Sequence, residues 1–233
     1  MVNNWLDIIQ DCLFPPTCIL CNLDSNNTVD LCEVCAMHLE KNFYCCYQCG
    51  ETFESLSSSP KLCGKCISNP PAYDRTHAPF IYQSGIRDLI QNLKFHNNYK
   101  NSRLLGKLLS DSIQNRIELP ELIIPVPLHT IRYRQRGFNQ SLEIARTVSK
   151  KLSIPLDYWS CHRKKYTLQQ SALSAKDRRK NIRNAFVVSR PINANHVVIL
   201  DDVMTTGTTV NELAATLKKS GVSRVDVWVC ARA

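Results

Sequence analysis

The 233-residue chain has no run of apolar residues approaching the ~20 needed to cross a bilayer, so no membrane span is expected. Its first residues, Met1-Val-Asn-Asn-Trp-Leu-Asp7, lack the basic start and long apolar stretch of an export signal, which points to the cytoplasm. Only Ser55–Ser59 is low in complexity, and hydrophobic residues at 44% exclude a disordered chain. Acidic residues are scarce in one place: the stretch 132–183 holds 3 of them against 14 Lys and Arg, a local balance of +11. Residues 1–70 run the other way, at −5, while residues 71–233 carry +14, which together make the net +9. A basic field of this kind suits a polyanion, either a pyrophosphate or a nucleic acid strand. Aromatic residues are also few in the basic stretch, namely Tyr133, Phe138, Tyr158, Trp159 and Tyr166, which favours tracking of a strand's backbone over reading of its bases.

Cysteine, by contrast, is plentiful. Ten of the twelve lie between Cys12 and Cys66, and eight of those form four C-x-x-C pairs. In a chain without an export signal this spacing argues for zinc and against a disulfide framework. Cys18 and Cys21 with Cys32 and Cys35 make one set, and Cys46 and Cys49 with Cys63 and Cys66 a second. A C-x-x-C turn presents two thiolates to one ion, and four thiolates complete the closed tetrahedral site of a structural Zn²⁺. Two such ions are expected, with crossed pairing of the sets and a ligand role for Cys45 left open. Cys12, Cys161 and Cys230 have no partner pattern and are expected to be small core residues.

Three units follow along the chain. Residues 1–16 are expected to form a docking helix, with Trp5, Leu6, Ile8, Ile9 and Leu13 at helical spacing before Pro15-Pro16. Residues 17–70 are the cysteine-rich module, closed by Ser68-Asn-Pro-Pro71. In residues 71–233 apolar runs alternate with amphipathic stretches. Strands are expected within 73–83 and at 122–126, 156–160, 196–200 and 224–230, and helices at 85–96, 100–117, 139–152, 174–184 and 208–220. That order implies a mainly parallel sheet covered on both faces.

The stretch Val197-Val-Ile-Leu-Asp-Asp-Val-Met-Thr-Thr-Gly-Thr-Thr209 carries the most chemistry. A buried strand delivers Asp201 and Asp202 at its carboxyl end, where two acceptors suit a vicinal diol. Val203 and Met204 lead into Thr205, Thr206, Gly207, Thr208 and Thr209, at the start of a helix. Backbone N–H groups and hydroxyls there suit a phosphate, and Gly207 lets the backbone come close. Arg132, Arg134 and Arg136 follow an earlier strand and can grip phosphate oxygens in bidentate fashion, neutralising a diphosphate together with Mg²⁺.

The acidic pair and threonine loop closely resemble the signature of the type I phosphoribosyltransferases, which implies that the acids bind the ribose hydroxyls and the loop the 5′-phosphate of phosphoribosyl pyrophosphate. Pro127, Leu128 and His129 are similar in position to that family's pyrophosphate loop, and Arg163, Lys164 and Lys165 lie where its mobile loop would meet the pyrophosphate. The wider pattern resembles the ComF competence-protein family: Pro125-Val-Pro-Leu, Arg132-Tyr-Arg-Gln-Arg-Gly-Phe-Asn-Gln140, then Arg163, Thr167, Gln170, Arg178, Asn181 and Phe186, with N-terminal cysteine pairs. The resemblance implies a type I phosphoribosyltransferase fold behind a double zinc ribbon, and a role in natural transformation on incoming single-stranded DNA, with a helicase or another competence protein as partner. An active phosphoribosyltransferase acting on a nitrogen acceptor in nucleotide metabolism is the other reading; no acceptor site or general base is recognisable in the sequence.

Overall fold

Aliphatic and β-branched runs build the centre of the molecule. A computed structural model describes residues 17–25, 30–53, 62–96, 99–113, 118–166 and 182–233, so the expected helix in 1–16 and most of the one at 174–184 lie outside the described residues. In chain order the elements are α1 (Glu33–Met37), α2 (Gly64–Ser68), β1 (Arg75–His77), β2 (Phe80–Ile81), α3 (Ser84–His96), α4 (Tyr99–Ile113) and β3 (Leu122–Pro125). They continue with α5 (Thr130–Arg136), α6 (Gln140–Leu152), β4 (Cys161–Arg163), β5 (Phe186–Val188), β6 (His196–Met204), α7 (Thr208–Lys219) and β7 (Arg224–Arg232).

Five strands form one parallel sheet in the order β1-β7-β6-β3, with β2 also pairing to β7. Strand side chains alternate between its faces. Val197 and Ile199 of β6, with Val225, Val227 and Val229 of β7, pack in one buried cluster with Val210, Leu213 and Leu217 of α7. Val198, Leu200, Trp228 and Cys230 join the other cluster, with Ile86 and Leu89 of α3, Leu105 and Leu109 of α4 and Ile144 of α6. Burial on both sides is why these strands read as unbroken apolar runs. On the α3 side two helices press close: a β-carbon on Gly106 of α4 would stand 2.6 Å from Cβ of Thr147 on α6.

The cysteine-rich segment lies against this sheet and these helices. Leu31 and Leu39 enter the cluster beneath α3, and a β-carbon on Gly85 would come within 2.8 Å of Leu20. Lys41 bridges antiparallel to Phe80 of β2, with the Ile81 N–H donating to the Glu40 carbonyl at 2.9 Å.

Three local expectations change. The stretch 156–160 is no strand: Leu156 makes a single parallel bridge to Ile123, and the strand is β4, paired antiparallel with β5. The Asp157 carboxylate accepts the N–H groups of Trp159 and Ser160, each at 2.9 Å, and bends the chain there. The arginine-rich stretch is itself a helix, α5, with His129 accepting the Ile131 N–H at its start and Gly137 left-handed at its end. β6 also runs on through the acidic pair to Met204.

Candidate ligand cleft and thiolate tetrads

A cleft of about 450 Å³ opens beyond the carboxyl ends of β3 and β6, where an open α/β sheet characteristically binds ligands. Asp201, Asp202, Val203, Met204, Thr205, Gly207, Thr208 and Thr209 line it, as do Leu128, Arg132, Arg136 and Arg163. Of the other residues singled out from the sequence, Thr206 faces a second cavity. Pro127, His129, Arg134, Lys164 and Lys165 fall outside the cleft lining. His129 is turned to cap α5, and Lys165 Nζ donates to the Arg183 carbonyl at 2.5 Å. The backbone N–H of Lys164 donates to the Ala185 carbonyl at 2.8 Å.

The start of α6 is fastened over the acidic pair. The Asn139 side chain accepts the Ser141 N–H at 3.1 Å, the usual N-cap bond, while its amide donates to the Val126 carbonyl at 3.0 Å just past β3. Gln140 and Ser141 are thereby held against the carboxylates. Ser141 Oγ donates to Asp201 Oδ1 at 2.7 Å, and Gln140 Nε2 donates to Asp202 Oδ1 at 3.3 Å. Arg136 in turn donates to Gln140 Oε1 at 2.6 Å. From α3, Lys94 forms an ion pair with Asp202, which is only 2% exposed.

These neighbours split the pair electrostatically. Burial, then the adjacent Asp202 charge, pushes the Asp201 carboxyl up to about 7. Burial acts on Asp202 in the same sense, but the Lys94 ammonium and the hydrogen bonds around it hold that carboxyl below its ordinary value. Near neutrality the pair keeps one firm negative charge and one that is easily lost. Elsewhere in the cleft lining, burial and then the neighbouring Arg132 lower Arg163 to about 10, and Arg136 is lowered mainly by burial. Arg136 and Arg163 stay cationic at neutral pH, and with Arg132 they add three guanidinium groups to the lining that holds the carboxylates.

The threonine loop closes the third side. Gly207 has φ of +71°, which glycine adopts without strain. A β-carbon there would stand 3.1 Å from the Tyr73 hydroxyl. The Thr206 and Thr208 hydroxyls share a 2.8 Å hydrogen bond at the first turn of α7. Behind the loop, Arg232 ties several pieces together: its guanidinium donates to the carbonyls of Met204 and Cys49, each at 3.1 Å, and to that of Thr205, and pairs with Glu51. Lys94, Gln91, Tyr82, Gln140 and Ser141 were not singled out in the sequence, though all line the cleft. The first three sit on or before α3, far along the chain from the acids, and only Gln140 stood inside a quoted motif.

The cysteines gather into two tetrads, Cys18, Cys21, Cys32, Cys35 and Cys46, Cys49, Cys63, Cys66, with the sulfurs of each within 4.8 Å of one another. The sets are sequential, not crossed. Cys45 stands outside both, in an antiparallel bridge with Thr52. Backbone N–H groups point at the sulfurs, from Cys35 to Cys32 at 3.4 Å and from Cys63 to Cys46 at 3.3 Å, and at Cys46 such hydrogen bonds outweigh burial and lower the thiol to about 7. Each tetrad supplies the four sulfurs of one structural zinc site, so the eight cysteines fit two zinc ions. Cys161 and Cys230 are buried in the two cores and belong to neither tetrad.

The class defined by these features is a phosphoribosyltransferase-fold protein with a double zinc ribbon. A family model for the double zinc ribbon domain matches residues 9–67, and one for the phosphoribosyl transferase domain matches residues 139–233. Competence protein F of Haemophilus influenzae is 36% identical over 87% of this chain and 90% of its own length. DNA utilization protein YhgH of Escherichia coli K12 is 33% identical over 94% of this chain and 97% of its own. The chain belongs to this ComF family of competence and DNA utilization proteins. Among solved structures, the glutamine phosphoribosylpyrophosphate amidotransferase of B. subtilis aligns with 55% of this chain and 26% of its own, at 20% identity and a TM-score of 0.38. No helix among the described residues is long and apolar enough to cross a membrane.

Proposed function

We propose that the chain is a cytoplasmic competence protein that binds phosphoribosyl pyrophosphate in the cleft and handles incoming single-stranded DNA on its basic surface. Its working units are the segments 1–16, 17–70 and 71–233. One observation carries the reading: a carboxylate pair, a threonine loop at a helix start and three arginines line one cleft of about 450 Å³. Asp201 and Asp202 are suited to the ribose hydroxyls, and the loop Thr205–Thr209 to the 5′-phosphate through backbone N–H groups and hydroxyls. Arg132, Arg136 and Arg163 are suited to the pyrophosphate. Mg²⁺ would accompany the diphosphate and supply charge neutralisation there.

The names of the relatives, competence protein F and DNA utilization protein, support the DNA role. So does Arg134, which lies on α5 outside the cleft lining. The partner that hands over the strand would be a helicase or another competence protein. A transferase reading draws on Asp201, whose carboxyl near pH 7 is matched to moving a proton at neutral pH.

The deciding experiment is thermal stabilisation by phosphoribosyl pyrophosphate with Mg²⁺, expected in the native chain and lost in Asp201→Asn. No stabilisation of the native chain would remove the ligand assignment. Pyrophosphate release in the presence of nitrogen acceptors would favour the transferase, whereas binding without turnover favours a ligand-holding protein. Single-stranded DNA affinity should fall steeply as salt rises, and Arg134→Glu leaving it unchanged would take the strand off α5.

A further inference from the structure

The threonine loop has two sides. Behind it lies a second cavity of about 610 Å³, between the second tetrad and the start of α7, a volume suited to a small molecule. Thr205, Gly207 and Thr208 line both this cavity and the cleft, so the loop proposed to hold the 5′-phosphate borders both.

The second cavity sets several donors against one apolar wall, and Glu51, Cys49 and Cys66 also line it. Tyr73 is 97% buried by its 3% exposure, it lines the cavity, and its hydroxyl lies against Gly207. Asn211, on the first turn of α7, is fixed by accepting the Ala72 N–H at 2.7 Å, which leaves its amide protons for an occupant. Lys65 of α2 lines the cavity opposite the loop. Pro70 and Pro71 complete the apolar side, a surface on which a flat ring can lie. Arg232 lines it too, but its guanidinium is committed to carbonyls and to Glu51. The loop itself, residues 203–209, contains no Lys or Arg. Backbone N–H groups and hydroxyls without a side-chain cation can hold a phosphodiester as well as the monoester of phosphoribosyl pyrophosphate.

We infer that the second cavity receives the nucleoside attached to the far side of the loop-bound phosphate, so that the protein takes a 5′-phosphodiester whose ribose lies in the cleft. The ligand class is a nucleotide joined through its 5′-phosphate to a second nucleoside, as at the 3′ end of a strand or in a free dinucleotide. This inference rests on the proposed sugar-phosphate role of the cleft.

The test compares adenosine 5′-monophosphate with adenylyl-(3′→5′)-adenosine by calorimetry on the full, zinc-loaded chain. The dinucleotide is expected to bind at least tenfold more tightly. Asn211→Leu and Lys65→Glu should each erase that advantage while leaving the monophosphate and phosphoribosyl pyrophosphate unaffected, with zinc content confirming that Lys65→Glu stays folded. Competition by a ten-nucleotide strand bearing a free 3′-hydroxyl, but not by one blocked with a 3′-phosphate, would identify a strand end as the source. Competition by neither strand would point to a free dinucleotide. Monophosphate and phosphoribosyl pyrophosphate binding with no gain for the dinucleotide would overturn the inference alone. Failure of all three ligands would overturn the cleft assignment as well.

Discussion

In the cysteine-rich segment, α1 and α2 are five residues each and bury between them only Cys66, whereas β7 buries every side chain but its first. The first region has almost no apolar interior of its own, and four sulfurs around an ion must take its place. The second is held by area removed from water on both faces of a sheet. Two regions of one chain therefore answer to different perturbations, and the difference can be measured.

The largest effect is expected from metal loss. Binding of a structural zinc is worth about 10–16 kcal/mol in small metal-folded modules. Cys66→Ser should leave one zinc per chain by mass spectrometry and strip amide protection from residues 41–53 and 62–69 while β6 and β7 keep theirs. Equal loss of protection in the sheet would show that the regions are not held separately.

A smaller effect should come from the sheet side. Trp228, 1% exposed, is expected to cost about 3–5 kcal/mol on replacement by Ala, read by denaturant unfolding, with both zincs retained. Lys94→Met should cost a similar ~3–5 kcal/mol because it strands the buried Asp202 charge, and adding Asp202→Asn should recover much of it. If the double variant were no better than Lys94→Met, the ion pair would not be what Lys94 supplies.

The smallest effect is a pH dependence confined to the cleft. A carboxyl raised to about 7 in the folded chain, from an ordinary value near 4, binds its proton more tightly folded than unfolded. Its stabilising contribution is complete below about pH 4 and is lost as pH rises through about 7. Asp202, held low, contributes in the opposite sense, losing its part only as pH falls below about 4. Stability of the native chain should therefore decline between pH 4 and 7 relative to Asp201→Asn. Parallel curves for the two proteins would remove the raised carboxyl from consideration.

Much of this was legible before any coordinates. The cysteine spacing marked both tetrads, since a C-x-x-C pair is a local device, and the apolar runs marked β3, β6 and β7 because burial on two faces leaves a continuous signature. The acidic pair and the loop were legible for the same local reason. Lys94, Ser141 and the second cavity were not, because they are made by α3, α6 and the second ribbon arriving from distant parts of the chain. The false strand at 156–160 came from propensity overruled by one turn-forming aspartate.

Arg232 stands where the two regions touch. One planar group carries a bond to the carbonyl of a tetrad cysteine, Cys49, and bonds to the carbonyls of Met204 and Thr205, at the end of β6 and the start of the loop. A shift of the knuckle by even a fraction of an ångström would be passed on at that bend, because a rigid guanidinium cannot stretch to keep both grips. Displacement of the Cys49 knuckle would thus reach the loop of the cleft through Arg232, alongside the packing of Leu31 and Leu39 in the cluster with α3.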